Sequence, residues 1–397
     1  MAASAVSPPA GSAERLDTPP TPGLSAPAAP HPASSSGAGA LSRPQLGWRA
    51  HLVTMLLATW LLVGLFVDGW AHINLEELET FFTPWHALFY SGFMATALWM
   101  GWLVVRQLRL GRRGLRAIPH GYELGMVGLV TFAVGGFGDM LWHIAFGIEV
   151  DIEALLSPTH LLLLAGMAMI MATPFWSAWS SPASDAGRPA LSAFLPTVLS
   201  LTLVTTLFSF FTMYLSGFSN DDLFAATVRD LQALGASAGR TGLLAYLNQR
   251  SGIGGILFSN FLLMAPVLLM LRRWQPPFGT VTILFTLTTL LMTALDGFEY
   301  WPYVIASVAA GLVADGLIQR LRPSAHNLVA TRLLAAVVPL VLWGGHVLTV
   351  QWVWELGWAL ELSSGVVVLA SLSALVISFL IMPPLPPPPS PRWSEGA

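Results

Sequence analysis

Long runs of apolar residues fill the chain from about residue 50 to 382, separated by short polar breaks, and within each run the apolar positions are continuous rather than alternating. About 20 such residues cross the hydrocarbon of a bilayer as a helix, whereas barrel strands would alternate with period two. The pattern predicts an all-α polytopic membrane bundle of about 10 transmembrane helices. The expected spans are 51–70, 84–105, 121–146, 158–179, 190–216, 252–271, 278–296, 300–319, 328–350 and 363–382. Residues 1–46, rich in Ala, Pro and Ser, read as a disordered cytoplasmic tail without a cleavable signal peptide, and residues 383–397 as a Pro-rich cytoplasmic tail. Between them, 47–180 form a four-helix unit, and 181–382 hold six further helices with an external segment near 217–251.

Composition agrees. With 54% hydrophobic and 10% charged residues in 397, the chain has more apolar surface than one water-soluble core can hide, so lipid is its expected solvent and first partner. Cysteine is absent, which excludes disulfides, iron–sulfur clusters and thiolate metal sites and leaves N and O ligands, with Met as a soft option. Arginine supplies all 18 basic residues, as codon bias in a GC-rich prokaryotic genome would produce. Placing both termini in the cytoplasm puts every arginine except Arg229, Arg240 and Arg250 on the inner side. That is the positive-inside pattern of a multi-pass protein of the prokaryotic cytoplasmic membrane.

The polar residues that interrupt the first four spans repeat. Asp68-Gly69-Trp70-Ala71-His72 ends span one and Asp139-Met140-Leu141-Trp142-His143 ends span three; Thr83-Pro84-Trp85-His86 opens span two and Ser157-Pro158-Thr159-His160 opens span four. Gly92 and Gly166 each follow the second His by six residues. An Asp and a His four apart share one helix face, one turn apart. In Ser/Thr-Pro-x-His the hydroxyl residue caps a helix and Pro takes its first position, so the His lies in the first turn, where the helix dipole favours a neutral, metal-ready ring. Each duplicated hairpin thus offers a carboxylate and two imidazoles, three ligands with an open position. The candidate metal ligands are Asp68, His72, His86, Asp139, His143 and His160, at the outer face under the arginine-based orientation. Glu79 and Glu153 are nearby outer-shell candidates. His346, near the outer end of span nine, and Asp296 with Glu299, in a turn resembling a decayed copy of the unit, are further ones. Asp315, one turn from Gln319 and Arg320, reads as a snorkelling ion pair.

The Asp68-x3-His72…His86 and Asp139-x3-His143…His160 patterns resemble the membrane copper motif of the C subunit of particulate methane monooxygenase and its ammonia monooxygenase relatives. In that motif a second His follows about thirteen residues after the first; here the intervals are fourteen and seventeen. The resemblance covers these short segments alone and implies copper as the metal, without transferring the hydroxylation chemistry. Carboxylate and imidazole also suit zinc and non-haem iron. An enzyme would activate oxygen or water there; a metal-handling protein would accept metal for uptake, storage or insertion into an oxidase. The competing readings are a proton- or solute-coupled transporter, a structural subunit with a polar Asp/His network that associates with other membrane subunits, and haem ligation, which leaves both Asp residues without a role. No nucleotide-binding loop, nucleophile elbow or HExxH helix is present, and the arginine run 106–116 reads as a topology signal rather than a nucleic-acid surface.

Overall fold

The computed structural model describes residues 43–75, 81–147, 151–181 and 189–384; both expected tails, apart from a few residues at their inner ends, and Glu79 lie outside them. Among the described residues the chain is helical, with two isolated β-bridges and no strand. The helices are α1 (Trp48–Asn74), α2 (Pro84–Arg109), α3 (Glu123–Phe146), α4 (Asp151–Leu156), α5 (Pro158–Met171), α6 (Thr173–Ser180), α7 (Leu191–Phe211), α8 (Ala225–Ser237), α9 (Thr241–Leu271), α10 (Thr280–Ala294), α11 (Tyr303–Leu321), α12 (Leu328–Val353) and α13 (Leu360–Ile381).

Each of the ten apolar stretches is helical, but not each forms one span. Eight helices are long and apolar enough to cross a membrane, and up to nine if α5 and α6 count together. Those two meet at a 43° bend. Pro174, at the start of α6, lacks the N–H that would continue the hydrogen-bond ladder. The stretch expected over 278–296 contains only the 15-residue α10. The segment expected to be external, 217–251, holds α8 and the first turns of α9. Large apolar side chains such as Leu98, Val130, Ile144 and Trp352 point away from the bundle, as lipid contact requires.

The N-terminal half is built from two hairpins, α1 against α2 and α3 against α5, with α7 packed on α1 and α5. Glycine permits both close approaches. A Cβ on Gly64 would lie 2.7 Å from the Phe89 backbone and one on Gly92 2.6 Å from the Leu61 backbone. In the second hairpin, a Cβ on Gly135 would lie 3.0 Å from the Leu162 side chain and 3.1 Å from the Leu163 backbone, and one on Gly166 2.7 Å from the Phe132 backbone. Such small-residue contacts let membrane helices touch backbone to backbone. Gly92→Ala and Gly166→Ala are each expected to destabilise the protein by about 1–3 kcal/mol through overpacking. Gly254→Ala, where a Cβ meets nothing within 4 Å, should not; denaturation in detergent followed by circular dichroism compares them.

Asp315 departs from its expected ion pair. Fully buried on α11, it caps the start of α10: Oδ1 accepts from Val281 N–H (3.0 Å), and Oδ2 from Gly279 N–H (3.0 Å), Thr282 N–H (3.1 Å) and the Thr282 hydroxyl (2.7 Å). The first turn of a helix carries N–H groups without intrahelical partners, and a carboxylate from the neighbouring helix takes them up.

Candidate metal centre

The six Asp and His residues converge at one end of the N-terminal half. Asp68 and His72 leave the last turns of α1, and Asp139 and His143 those of α3. His86 and His160 occupy the first turns of α2 and α5, where Thr83 and Ser157 cap the helix by accepting from the His86 N–H (3.1 Å) and the His160 N–H (3.3 Å) and Pro84 and Pro158 open it. Placing these two histidines at a helix start therefore fixes their ring positions through local backbone chemistry.

Two compact groups result, Asp68/His72/His86 and Asp139/His143/His160, each with one ligand atom per residue and all three within 4.8 Å of one another. In the first, Asp68 Oδ2 faces His86 Nε2 at 3.5 Å and His72 Nε2 at 3.9 Å. In the second, Asp139 Oδ1 faces His160 Nε2 at 3.0 Å and His143 Nε2 at 3.5 Å. The groups are neighbours: the His86 and His143 rings lie 6.2 Å apart, flanked by His72 at 5.9 Å from His86 and His160 at 5.7 Å from His143. The middle of this row is buried, with the His143 side chain 3% exposed, while its ends reach outward, His72 at 27% and His160 at 20%.

The opposite ring nitrogens settle what the Nε2 atoms can do. His143 Nδ1 sits 3.2 Å from the Gly147 carbonyl, and His160 Nδ1 contacts the Ala154 carbonyl at the end of the short helix α4. A carbonyl only accepts, so both Nδ1 atoms carry a proton, and the Nε2 atoms are the ones turned toward Asp139. His86 Nδ1 pairs with the Thr83 hydroxyl at 3.1 Å. Lone pairs of two imidazoles facing one carboxylate repel unless a cation lies between them. A proton answers one imidazole of each pair; the buried His143 Nε2 has no hydrogen-bond partner, and neither has the buried Asp68 Oδ1. Carbonyl-tethered histidines around carboxylates are the donor set and outer shell of a metal site, and these residues fit one.

Some participants carry no sequence signal. Tyr90 on α2 donates its hydroxyl to Asp139 Oδ2 at 3.3 Å, tying the first hairpin to the second, and Gly136 leaves room for it, since a Cβ there would lie 2.7 Å from the Tyr90 ring. Thr159 donates to Asp139 Oδ1 at 3.2 Å. Phe81 stacks on His86 at 4.9 Å and lies 6.0 Å from His143, roofing the row. Tyr90 and Thr159 have no counterparts at Asp68, so the two groups differ in the environment of their carboxylates. Four of the outer-shell candidates lie among the described residues, and none of them is a member of either group. Glu153 is exposed on α4, which meets the centre through the Ala154 carbonyl instead. His346, Asp296 and Glu299 are absent from both groups: His346 stacks on Tyr303 at 4.0 Å, and the other two lie in the turn between α10 and α11.

No protein-family model, curated protein or solved structure matches the chain.

Proposed function

We propose that the protein is a membrane metal-binding protein that holds one transition-metal ion in each Asp/His/His group, with copper the favoured ion and zinc or iron the alternatives. The carrying observation is the convergence of two carbonyl-tethered imidazoles on Asp139 and of His72 and His86 on Asp68, which leaves His143 Nε2 and Asp68 Oδ1 buried without a partner. A polar network evolved only for stability would not leave them so. Copper is favoured because the donors are imidazole and carboxylate, which bind it well, and because the Asp-x3-His…His spacing resembles the monooxygenase copper motif.

Recurring offsets support a duplication. Asp68 to Asp139, Gly64 to Gly135 and Leu61 to Phe132 are each 71 residues, while His86 to His160, Phe89 to Leu163 and Gly92 to Gly166 are each 74. The packing contacts repeat along with the ligands. In the orientation favoured by arginine placement, the centre lies at the extracytoplasmic end of a cytoplasmic-membrane protein with both termini inside. His72 and His160, the more exposed rings, are where metal enters from that side.

The role is metal handling, in which the pair of sites accepts copper from outside for storage or delivery. Bound copper would supply ligand exchange at its open positions; the chain's own residues orient the rings, desolvate the middle of the row and hold the two hairpins in register through Tyr90. Metal analysis of full-length protein purified in detergent from copper-supplemented cells tests this. Wild type should retain copper, and the His72→Ala/His143→Ala double variant should lose nearly all of it; equal content in both would refute the proposal. A Soret band in the wild type would replace copper with haem.

A further inference from the structure

Buried side-chain atoms without a hydrogen-bond partner collect in two places among the described residues. Asp68 Oδ1 and His143 Nε2 belong to the metal centre, but Ser219 Oγ, Asp222 Oδ2, Asp296 Oδ2 and His346 Nδ1 belong to a second region, leaving only Thr286 elsewhere. This region is formed by the segment before α8, the turn between α10 and α11, the start of α11 and His346 of α12. Tyr303 joins its parts: its hydroxyl donates to the Asn220 carbonyl at 3.5 Å, and its ring stacks on His346 at 4.0 Å. His346 is 2% exposed and lies against Trp343 and Phe218. Glu299 in the turn is exposed, and Tyr300 and Trp354 are half-buried, so the region reaches the surface.

Its charge is one-sided. Burial, then Glu299, then Asp221 push the Asp296 carboxyl up to about 6, and burial with Asp221 also raises that of Asp222. The hydrogen bonds present leave acceptors over: Asp221 Oδ2 takes the Thr227 hydroxyl (2.6 Å) and Asp222 Oδ1 takes Asn248 Nδ2 (3.1 Å), while Asp222 Oδ2 takes nothing. Arg229 on α8 pairs with Glu355 (3.5 Å) rather than with these acids. Half-buried carboxylates whose inner oxygens find no partner are costly without a cation, so the region is built to receive one.

The kind of cation follows from spacing and donors. Three carboxylate or imidazole ligand atoms within 4.8 Å of one another occur in the two Asp/His/His groups and not here. The region therefore lacks the carboxylate and imidazole triad that a transition metal takes, and its acceptors suit a cation of several atoms. Tyr300, Tyr303 and Trp354, with ring centroids 5.3–6.1 Å apart, add aromatic faces that attract organic cations. The unmet carboxylate oxygens of Asp222 and Asp296 only accept, so a cation that brings N–H donors meets them. A quaternary ammonium brings none.

We propose that the region of Ser219, Asp222, Asp296, Tyr303 and His346 is a binding site for an organic molecule carrying a primary ammonium group. The site is separate from the metal centre and does not depend on it.

Equilibrium dialysis of full-length protein in detergent with radiolabelled putrescine tests the site. Saturable binding is expected, weakened roughly thirty-fold in Asp222→Asn/Asp296→Asn, the loss typical of removing one side of a desolvated charge pair. Tetramethylammonium should compete poorly, as should calcium at equal concentration, and the variant's copper content should match wild type. Absence of saturable putrescine binding, or equal affinity in wild type and variant, would overturn the proposal. Effective competition by tetramethylammonium or by calcium would overturn the primary-ammonium assignment. If the double variant loses copper as well, Glu299→Gln at the surface replaces it: a decrease of about threefold is expected for a rim charge, and an unchanged affinity counts against the site.

Discussion

Asp139→Asn is expected to lower the copper content of the purified protein from about two ions per chain to about one and to weaken the surviving affinity, read by competition with a chromophoric chelator. Asparagine keeps the shape of aspartate and one of its oxygens, so the fold is retained. It loses the charge that the His143 and His160 rings face at 3.5 Å and 3.0 Å. Tyr90→Phe provides the internal comparison. That hydroxyl touches Asp139 Oδ2 and no ligand nitrogen, so its removal should cost only the 10- to 100-fold, roughly, of a lost outer-shell partner, with the stoichiometry unchanged. Asp68→Asn should likewise remove about one ion, and the two Asn substitutions together should remove both. Equal copper in Asp139→Asn and wild type would show that the carboxylate belongs to a hydrogen-bond network rather than to a metal.

Residues whose roles are set by near neighbours in sequence were legible. An Asp and a His one turn apart, and a His three residues after a capping Thr or Ser, are placed by helix geometry alone, and the structure brings all six into two groups. Roles set across the bundle were not. Tyr90 lies in an apolar run with nothing to distinguish it, yet 49 residues separate it from the Asp139 oxygen it serves. Gly64 and Gly135 look like ordinary membrane-helix glycines until the facing backbones of Phe89 and Leu163 are located. His346 reads as an outer-shell candidate from its place near the outer end of its span, and Asp296 from a turn resembling the repeat; position along a span says nothing about which neighbours a helix has in the plane of the membrane. The short α10 and the broken α5/α6 pair escaped detection because apolar composition sets where a helix can lie in lipid, while a proline or a cap sets where it bends or begins.

Asp315→Ala is expected to cost the most stability of any single change at a distance from the metal centre. The carboxylate's position predicts an ion pair with Arg320, but its partners are 33 to 36 residues earlier in the chain, at the cap and first turn of α10. Removing it leaves the Gly279, Val281 and Thr282 N–H groups inside the protein with no acceptor. Each buried donor left unsatisfied costs about 1–3 kcal/mol, and relaxation of the α10 start would bring the total to roughly 3–5 kcal/mol. Asparagine should recover part of this, because its carbonyl can replace Oδ2, which serves Gly279 and Thr282, while its NH2 opposes the Val281 N–H that Oδ1 accepts. Resistance to denaturation in detergent should therefore rank wild type, Asn, then Ala, with copper content unchanged in every folded sample. An ion pair with Arg320 predicts a different order: Asn and Ala would be equally and mildly destabilised, and Arg320→Gln would match them. The cap also connects to the rest of the bundle at the other end of α10, where the Leu295 carbonyl accepts from Asn74 Nδ2 at 2.9 Å, at the end of the helix that carries Asp68 and His72. Unchanged copper in Asp315→Ala would thus show that the metal centre is held by its own two hairpins and not by the half of the bundle that α10 belongs to.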